Sequence, residues 1–266
     1  MNLFSEYKKM DYISHFLAFA PPNELERGLN RLLTGYPSNH NYKISQKKLF
    51  PSFQLYKRLR LITALYSEPL ESFMDVGCCR GFFVLEAAKR PNCQVSVGID
   101  VHEPFVSISN RVREYLDIRN SAFHLATLDM ISNKPEAYGG PFQTILLIGT
   151  YHYLFWGSHL CSDAYYSHQE ILYRLSRICT NRLIFSARLE ADRLPNYLKE
   201  KAKAIGNKVN YNSTSFLKEA GEFFEVHEAG FLGKYPLFLM IKKNTWCDIE
   251  RSVLSYKNFS KKPRSL

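Results

Sequence analysis

The chain has 266 residues and carries 35 lysines and arginines against 25 aspartates and glutamates, for a formal net charge of +10. A single α/β domain with an appendage is expected at this length, because one hydrophobic core commonly stops growing at about 250–300 residues. Hydrophobic residues make up 45% of the sequence and aromatic residues 14%, so the composition excludes an intrinsically disordered chain.

The cysteines and the N-terminus indicate a soluble protein of a reducing compartment. The six cysteines are irregularly spaced and contain no C-x-x-C pair, which excludes a disulfide framework and a paired-cysteine zinc site. Charges at Glu6, Lys8 and Lys9 interrupt the apolar run that a signal peptide needs, and no run approaches the roughly 20 apolar residues of a membrane span. We therefore expect a cytoplasmic protein without a membrane partner.

The basic excess lies outside the middle of the chain, since residues 71–180 have a net charge of −2. One basic cluster precedes this block and a second closes the chain: Lys43, Lys47, Lys48, Lys57, Arg58 and Arg60, then Lys257, Lys261, Lys262 and Arg264. Such patches suit a polyanionic partner such as RNA. The alternative is a lysine-rich solvated surface followed by a disordered basic tail.

The first 70 residues predict a helical N-terminal extension. Apolar residues at helical spacing, interrupted by Pro21 and Pro22, predict two short amphipathic helices within residues 1–40. The stretch Phe53–Leu65 predicts another helix, in which leucines and Ile62 recur among basic residues.

From Ser72 onwards, short apolar strands alternate with helical stretches. The predicted strands are Phe73–Val76, Gln94–Ile99, Ala122–Leu128, Thr144–Ile148 and Arg182–Ala187. The predicted helices between them are Phe82–Lys89, Pro104–Leu116 and Ser167–Ile178. This alternation implies right-handed βαβ units and a parallel sheet that is covered on both faces.

The end of the chain does not follow this alternation of strands and helices. Two predicted helices, Leu194–Ala204 and Thr214–Gly221, precede two strand-like runs, Glu225–Phe231 and Pro236–Lys242. The short connection through Gly233 makes these runs an antiparallel hairpin. The expected fold is a doubly wound, mostly parallel, seven-stranded Rossmann-like α/β sheet over residues 71–243, followed by a basic tail over 244–266.

The segment DVGCCRG, residues 75–81, directly follows a predicted strand and opens a helix. Gly77 and Gly81 permit a tight turn, and the helix N-terminus offers unpaired N–H groups, as in nucleotide-binding loops. The segment lacks the Lys-Ser/Thr of a phosphate loop and the G-x-G-x-x-G of a dinucleotide site, which disfavours nucleoside triphosphate hydrolysis and a nicotinamide-dependent oxidoreductase.

Two further acidic residues follow the next two strands. Asp100 ends the second strand, where a carboxylate can accept hydrogen bonds from both hydroxyls of a ribose. Asp129 follows the third strand, where it can accept a hydrogen bond from the exocyclic amine of adenine. The alternative role for Asp100 is that of a helix N-cap.

Four segments, DVGCCRG, VGID, LATLD and TILLIG, together with the terminal hairpin, resemble the class I S-adenosylmethionine-dependent methyltransferase family. The resemblance covers about residues 73–243 and implies a methyltransferase that uses S-adenosylmethionine. It implies that Asp75, Gly77 and Gly81 line the methionine part of the cofactor and that Gly149 lies near the methyl group. It further assigns the ribose to Asp100 and the adenine to Leu128 and Asp129, with Val76, Cys78 and Val101 also at the cofactor. Many family members carry glycine where this chain has Cys79.

Residues Tyr151 and His152 directly follow the fourth strand, at the mouth of the predicted pocket. The segment Gly149–His152 is similar to the post-strand Tyr-His of enzymes that modify the wobble uridine of transfer RNA. His152 can take a proton from an acceptor, and Tyr151, with the neighbouring Tyr153, Phe155 and Trp156, can stack on a planar one. We name Tyr151 and His152 as candidate catalytic residues; the alternative is that these side chains pack beneath a lid.

The segment after them is polar and contains possible metal ligands at His159, Cys161, Asp163 and His168. Because these residues lack the i, i+4 spacing of a helical metal site, we favour a loop that faces the substrate and predict no metal.

The expected function is therefore methyl transfer from S-adenosylmethionine, with RNA, transfer RNA included, as the acceptor that the basic flanks favour. The alternatives are a small-molecule acceptor, such as a metabolite or natural product, and a non-catalytic protein that uses the fold for binding.

Overall fold

The computed structural model of the chain describes residues 24–243. The first of the two amphipathic helices predicted within residues 1–40 lies outside the described residues, as does the basic tail.

A seven-stranded sheet forms the centre of the molecule. Its strands are β3 (Ser72–Val76), β4 (Val95–Asp100), β5 (Ser121–Leu125), β6 (Phe142–Ile148), β7 (Cys179–Ser186), β8 (Phe224–Leu232) and β9 (Tyr235–Lys242). They lie in the order β5-β4-β3-β6-β7-β9-β8. The first five strands pair in parallel, whereas β9 is antiparallel to both β7 and β8. This arrangement confirms the predicted doubly wound sheet with its C-terminal hairpin.

Alternating side chains of the strands pack in two separate hydrophobic cores, one on each face of the sheet. Met74 packs in the core of one face, while its neighbour Phe73 packs in the core of the other. Ile145 and Leu146 of β6 divide in the same way. Because successive residues of a strand point to opposite faces, near-continuous apolar strands are what a sheet covered on both sides requires.

Helices cover both faces of the sheet. They are α1 (Glu24–Leu32), α2 (Phe53–Thr63), α3 (Phe82–Ala88), α4 (Glu103–Leu116), α5 (Leu128–Asn133), α6 (Tyr151–Trp156), α7 (His168–Ile178), α8 (Asn196–Ile205) and α9 (Ser213–Phe223). Among residues 24–243, no helix has both the length and the apolar character needed to cross a membrane.

The extension contains a two-stranded antiparallel ribbon that the sequence did not predict. Strands β1 (Tyr42–Ser45) and β2 (Lys48–Pro51) are joined by Gln46 and Lys47, which both have positive φ angles, of 47° and 58°. A two-residue hairpin turn with two positive φ angles normally has Asn or Gly at these positions. The absence of those residues explains why the ribbon leaves no recognisable turn signal.

The boundary after β5 also differs from the prediction. The strand ends at Leu125, and the Thr127 side chain accepts a hydrogen bond from the Met130 amide at 3.4 Å as the N-cap of α5. Leu128, predicted to end a strand, is therefore the first residue of a helix. The short α6 was not predicted either.

Arg80, from the loop between β3 and α3, ties the extension to the sheet. Its Nε donates to the Leu32 carbonyl at 3.1 Å and its Nη2 donates to the Tyr36 carbonyl at 2.9 Å. The Tyr42 hydroxyl in turn donates to the Arg80 carbonyl at 2.6 Å. Arg80 is buried, and its guanidinium carbon lies 5.1 Å from the centroid of the Phe105 ring.

We predict that Arg80→Ala loosens this attachment and lowers the free energy of unfolding by about 2–4 kcal/mol, because two carbonyls lose a charged donor and the packing of the stem is lost. Urea unfolding measures the change. Arg27→Ala, at an exposed position of α1, is the matched control and should stay within about 0.5 kcal/mol of the parent chain. Equal stability of the two variants would contradict the anchoring role.

Candidate active site

A cavity of about 1830 Å³ lies along the carboxyl edge of the parallel strands. Residues that follow β3, β4, β6 and β7 line it, together with the turn between β8 and β9. The segment 36–40 of the extension and the loop 158–166 form its outer walls. Sites for one small ligand usually have about 300–1,000 Å³, so this cavity has room for two ligands side by side.

The turn after β3 is held against the end of β4. The amides of Gly77 and Cys78 both donate to the Ile99 carbonyl, at 2.8 and 2.9 Å. Gly77 has a φ of +79°, and a Cβ atom there would lie 2.3 Å from Thr150 Oγ1. Both the backbone conformation and the space therefore require glycine.

Cys79 has a φ of 51°, in the left-handed region that favours glycine. In this conformation its amide donates to Asp100 Oδ2 at 2.9 Å. The His102 amide donates to Asp100 Oδ1 at 2.9 Å. Each carboxylate oxygen thus accepts one backbone hydrogen bond and keeps lone pairs for a ligand. Burial raises the pKa of Asp100, and these hydrogen bonds oppose the rise.

Asp75 lies beneath this turn and does not line the cavity. Its side chain is buried, and burial raises the pKa of its carboxyl group to about 8, against the opposing charge of Arg58. Arg58 itself lines the cavity from α2 and donates to the Asn39 carbonyl at 3.1 Å. The extension therefore supplies the positive charge that lowers the pKa of this buried carboxyl group.

Asp129 reaches the cavity from the first turn of α5, but its oxygens already have partners. Oδ1 lies 2.5 Å from Arg174 Nη1, and Oδ2 accepts a hydrogen bond from the Asn133 amide group at 3.2 Å. A hydrogen bond from adenine would have to share these oxygens.

The cavity brings together most of the predicted cofactor residues. Those that line it are Val76, Gly77, Asp100, Val101, Leu128, Asp129 and Gly149. Cys78 packs in the core, and Gly81, with a φ of +74°, sits against Phe123 and Ser109 at the start of α3. With Asp75, these two residues shape the turn from behind the cavity.

The two predicted catalytic residues have different surroundings. His152 lines the cavity, is 2% exposed, and has no hydrogen-bond partner at either ring nitrogen among residues 24–243. Burial, followed by the charge of Arg188, lowers its pKa to about 3, so the imidazole is neutral. Tyr151 instead lies in the core, where its hydroxyl is 2.5 Å from His168 Nδ1 and its ring packs on Phe185. Tyr151 thus lies where it cannot stack on an acceptor in the cavity.

The neighbouring aromatic side chains divide in the same way. Phe155 and Trp156 are buried in the core, whereas Tyr153 lines the cavity with its ring centroid 4.1 Å from that of His152. His159 packs on the ring of Tyr197. No group of three or more histidine, cysteine, aspartate or glutamate side chains within residues 24–243 is arranged to hold a metal ion.

Several cavity residues were not singled out from the sequence: Tyr36, His40, Arg188, Tyr197 and Lys234. Arg188 follows β7, and position after a parallel strand is the one signal that could have found it. The residues from the extension carry no such signal, because long-range packing brings them to the cavity.

Solved structures share this architecture at low sequence identity. The bifunctional kinase-methyltransferase WbdD has a TM-score of 0.52 and 15% identity over 72% of this chain and 40% of that one. EvdMO1 has a TM-score of 0.53 and 14% identity over 82% of this chain and 47% of its own. The N-methyltransferase NodS from Bradyrhizobium japonicum, solved with S-adenosylhomocysteine, has a TM-score of 0.50 and 12% identity over 84% of this chain and 100% of its own.

No protein-family model and no curated protein sequence matches the chain. The chain spans about 40% of the length of WbdD and 47% of EvdMO1. The topology and the structural neighbours show that its fold is that of the class I S-adenosylmethionine-dependent methyltransferases, as the sequence resemblance implied.

We predict that Asp75 makes stability fall as pH rises. Its pKa of about 8 in the folded chain lies above the ordinary value of 3.8, so the folded state holds a proton that the unfolded state has lost between these pH values. The free energy of unfolding should fall by up to about 1.4 kcal/mol per pH unit in this window.

Urea unfolding of the parent chain and Asp75→Asn at pH 5 and pH 8 measures this effect. The variant should gain stability relative to the parent chain on going from pH 5 to pH 8, since its side chain does not titrate. Asp192→Asn, at an exposed position, is the control and should follow the parent chain. A pH-independent difference between Asp75→Asn and the parent chain would contradict the assignment.

Proposed function

We propose that this chain transfers a methyl group from S-adenosylmethionine to an acceptor bound in the same cavity. The observation that carries the proposal is Asp100, a carboxylate that two backbone amides fix at the end of β4 on the wall of the cavity. A carboxylate held in this way can accept hydrogen bonds from the two hydroxyls of a ribose.

The surrounding residues also suit this cofactor. Ile99 and Leu128 give the cavity apolar walls on either side of the Asp100 strand end. A Cβ atom at Gly149 would meet no atom within 4 Å, so the backbone after β6 borders open space. S-adenosylmethionine, when bound, supplies an electrophilic methyl group on a sulfonium, and Gly149 leaves room for an acceptor to approach it.

In this proposal the protein acts mainly by alignment. Holding two reactants in line can account for much of the acceleration of a transfer reaction. His152 would accept a hydrogen bond from the acceptor atom and, where methylation releases a proton from that atom, would take up the proton at the same ring nitrogen. Its pKa of about 3 makes it a weak base, so orientation of the acceptor is its main role.

The position of the basic cluster favours a small-molecule acceptor. Of its six residues, Lys57 and Arg58 line the cavity. Lys47 lies in the ribbon turn, beside Tyr115 of α4. Tyr115 is in the last turn of α4, and the first turn of that helix borders the cavity. The two ends are about 18 Å apart along the helix axis. In this proposal the acceptor occupies the part of the cavity away from Asp100. The phenol rings of Tyr153, Tyr197 and Tyr235 line the cavity and can contact such an acceptor.

RNA is the second candidate acceptor, because Lys43, Lys47 and Lys48 are exposed along one ribbon. A large polyanion can touch this ribbon and place one nucleotide in a distant cavity.

We predict that isothermal titration detects binding of S-adenosylhomocysteine and that Asp100→Asn weakens it about 10- to 100-fold, because hydrogen bonds to a charged acceptor are lost. Asp192→Asn should bind as the parent chain does. Urea unfolding of each variant separates loss of a contact from loss of the fold. Binding of NADH in place of S-adenosylhomocysteine would support an oxidoreductase and overturn the proposal.

Transfer from labelled S-adenosylmethionine into cell extract, fractionated into RNA, protein and small molecules, then distinguishes the acceptors. Label in the small-molecule fraction supports the first candidate. Cofactor binding without label in any fraction would indicate a non-catalytic binding protein.

For the RNA candidate, the expected result is that bulk transfer RNA binds with an affinity that falls steeply between 50 and 200 mM salt. Lys47→Gln with Lys48→Gln should reduce the slope of log affinity against log salt by about 2, because two phosphate contacts are removed. Lys203→Gln with Lys218→Gln, at exposed positions on α8 and α9, is the charge-matched control. An identical slope for the two double variants would exclude the ribbon as the RNA contact.

A further inference from the structure

The charged residues that the sheet itself places at the cavity are separated along its edge. Asp100 ends β4 and Asp129 follows β5, whereas Arg188 follows β7 and Lys234 lies in the turn between β8 and β9. Lys57 and Arg58, from α2 of the extension, and Asp163, Glu170 and Arg174, from the segment before β7, also line the cavity. Strands β4 and β7 are three positions apart in the sheet, which corresponds to about 14 Å. The acidic end is the one proposed above for the cofactor, so the basic end belongs to the acceptor.

Arg188 has no anionic partner among the described residues. No salt bridge or side-chain hydrogen bond engages its guanidinium within residues 24–243. The acidic residue nearest to it in sequence, Glu190, accepts a hydrogen bond from the Ser213 amide and does not line the cavity. The guanidinium carbon lies 5.6 Å from the centroid of the Tyr235 ring, and a cation–π contact of this kind does not occupy the N–H donors.

A second group beside Arg188 also lacks a partner. His152 also lines the cavity, and neither of its buried ring nitrogens has a hydrogen bond within the described part of the chain. A buried polar group without a partner costs free energy, and a site for a ligand is one setting in which such a group persists. Arg188 lies close enough to His152 for its charge to act on the imidazole.

The walls around these two groups are aromatic and polar. Tyr197 lies beside the Tyr153 hydroxyl, and Tyr235 stacks on Arg188. Rings at these positions suit a flat organic molecule, and a guanidinium fork suits a planar carboxylate or a phosphate, which it binds through two parallel hydrogen bonds. Lys234 adds a more exposed positive charge at the rim.

We infer that the acceptor is a small organic anion whose carboxylate or phosphate group binds Arg188, with the atom to be methylated held between His152 and the cofactor end of the cavity. This inference rests on the proposed function for the identity of the two ends, but the anion site itself can be tested without methyl transfer.

The test uses the full chain saturated with S-adenosylhomocysteine and three probes of matched shape at constant ionic strength. Benzoate and phenyl phosphate carry the two candidate anions, and benzamide is the neutral counterpart of benzoate. We expect at least one anion to bind at least about tenfold more tightly than benzamide in isothermal titration, and the tighter of the two identifies the oxyanion.

Arg188→Gln should remove this preference, lowering the affinity for the anion at least about tenfold while leaving that for benzamide unchanged. The Arg188 carbonyl, which accepts the Tyr211 hydroxyl, is unaffected by the substitution. Arg193→Gln is the matched control, since this arginine is exposed and does not line the cavity. Lys234→Gln should cause a smaller loss, because an exposed charge is screened by solvent.

Equal binding of benzoate, phenyl phosphate and benzamide, or failure of all three to bind, would overturn the inference. So would equal losses in Arg188→Gln and Arg193→Gln. Failure of the proposed function looks different: S-adenosylhomocysteine would not bind, while the anion preference and its dependence on Arg188 would persist in the unliganded chain.

Discussion

The site depends on one local constraint, the attachment of the turn after β3 to the end of β4. Three consecutive amides, from Gly77 to Cys79, donate to the Ile99 carbonyl or to the Asp100 carboxylate. The turn makes these hydrogen bonds with positive φ angles at Gly77 and Cys79. Each partner fixes the other: Asp100 holds the turn, and the turn holds the Asp100 carboxylate at the wall of the cavity. A ligand that binds this carboxylate therefore meets a preorganised group.

The same loop connects the cofactor end to the extension. Arg80 directly follows Cys79, and its guanidinium holds the carbonyls of Leu32 and Tyr36. The extension shares a hydrophobic core with the sheet, since Leu55 and Ile62 of α2 pack with Phe73 of β3. It thereby brings the segment 36–40 to the rim of the cavity. Residues 36–40 of the extension thus form a wall of the cavity, and their position is coupled to the geometry of the β3 turn.

The sequence predicted the features that are encoded locally. Apolar strands, the glycines after β3 and the acid after β4 follow one another within short stretches, and the parallel sheet brings them to one edge. Prediction from the sequence was wrong or incomplete where the local pattern is weak or fits two environments equally well. The ribbon turn at Gln46 and Lys47 lacks the usual turn residues, and an aromatic run such as 151–156 looks the same whether it faces a cavity or a core. Tyr151 packs in the core because Phe185 and Phe216, which are distant in sequence, surround its ring.

Arg188, at the basic end of the cavity, affects both the binding of an anionic acceptor and the protonation of His152. A positive charge beside a buried histidine disfavours the imidazolium, and Arg188 adds to burial in keeping His152 neutral. A neutral imidazole retains a lone pair that can accept a hydrogen bond, whereas an imidazolium would only donate. One cation thus attracts an anionic acceptor and also preserves the hydrogen-bond acceptor that orients it. Binding of the anion would weaken the effect of Arg188 on the imidazole, so the basicity of His152 would rise when the acceptor is in place. The charge pattern of the cavity thereby links occupancy of the acceptor site to the readiness of His152 to take a proton.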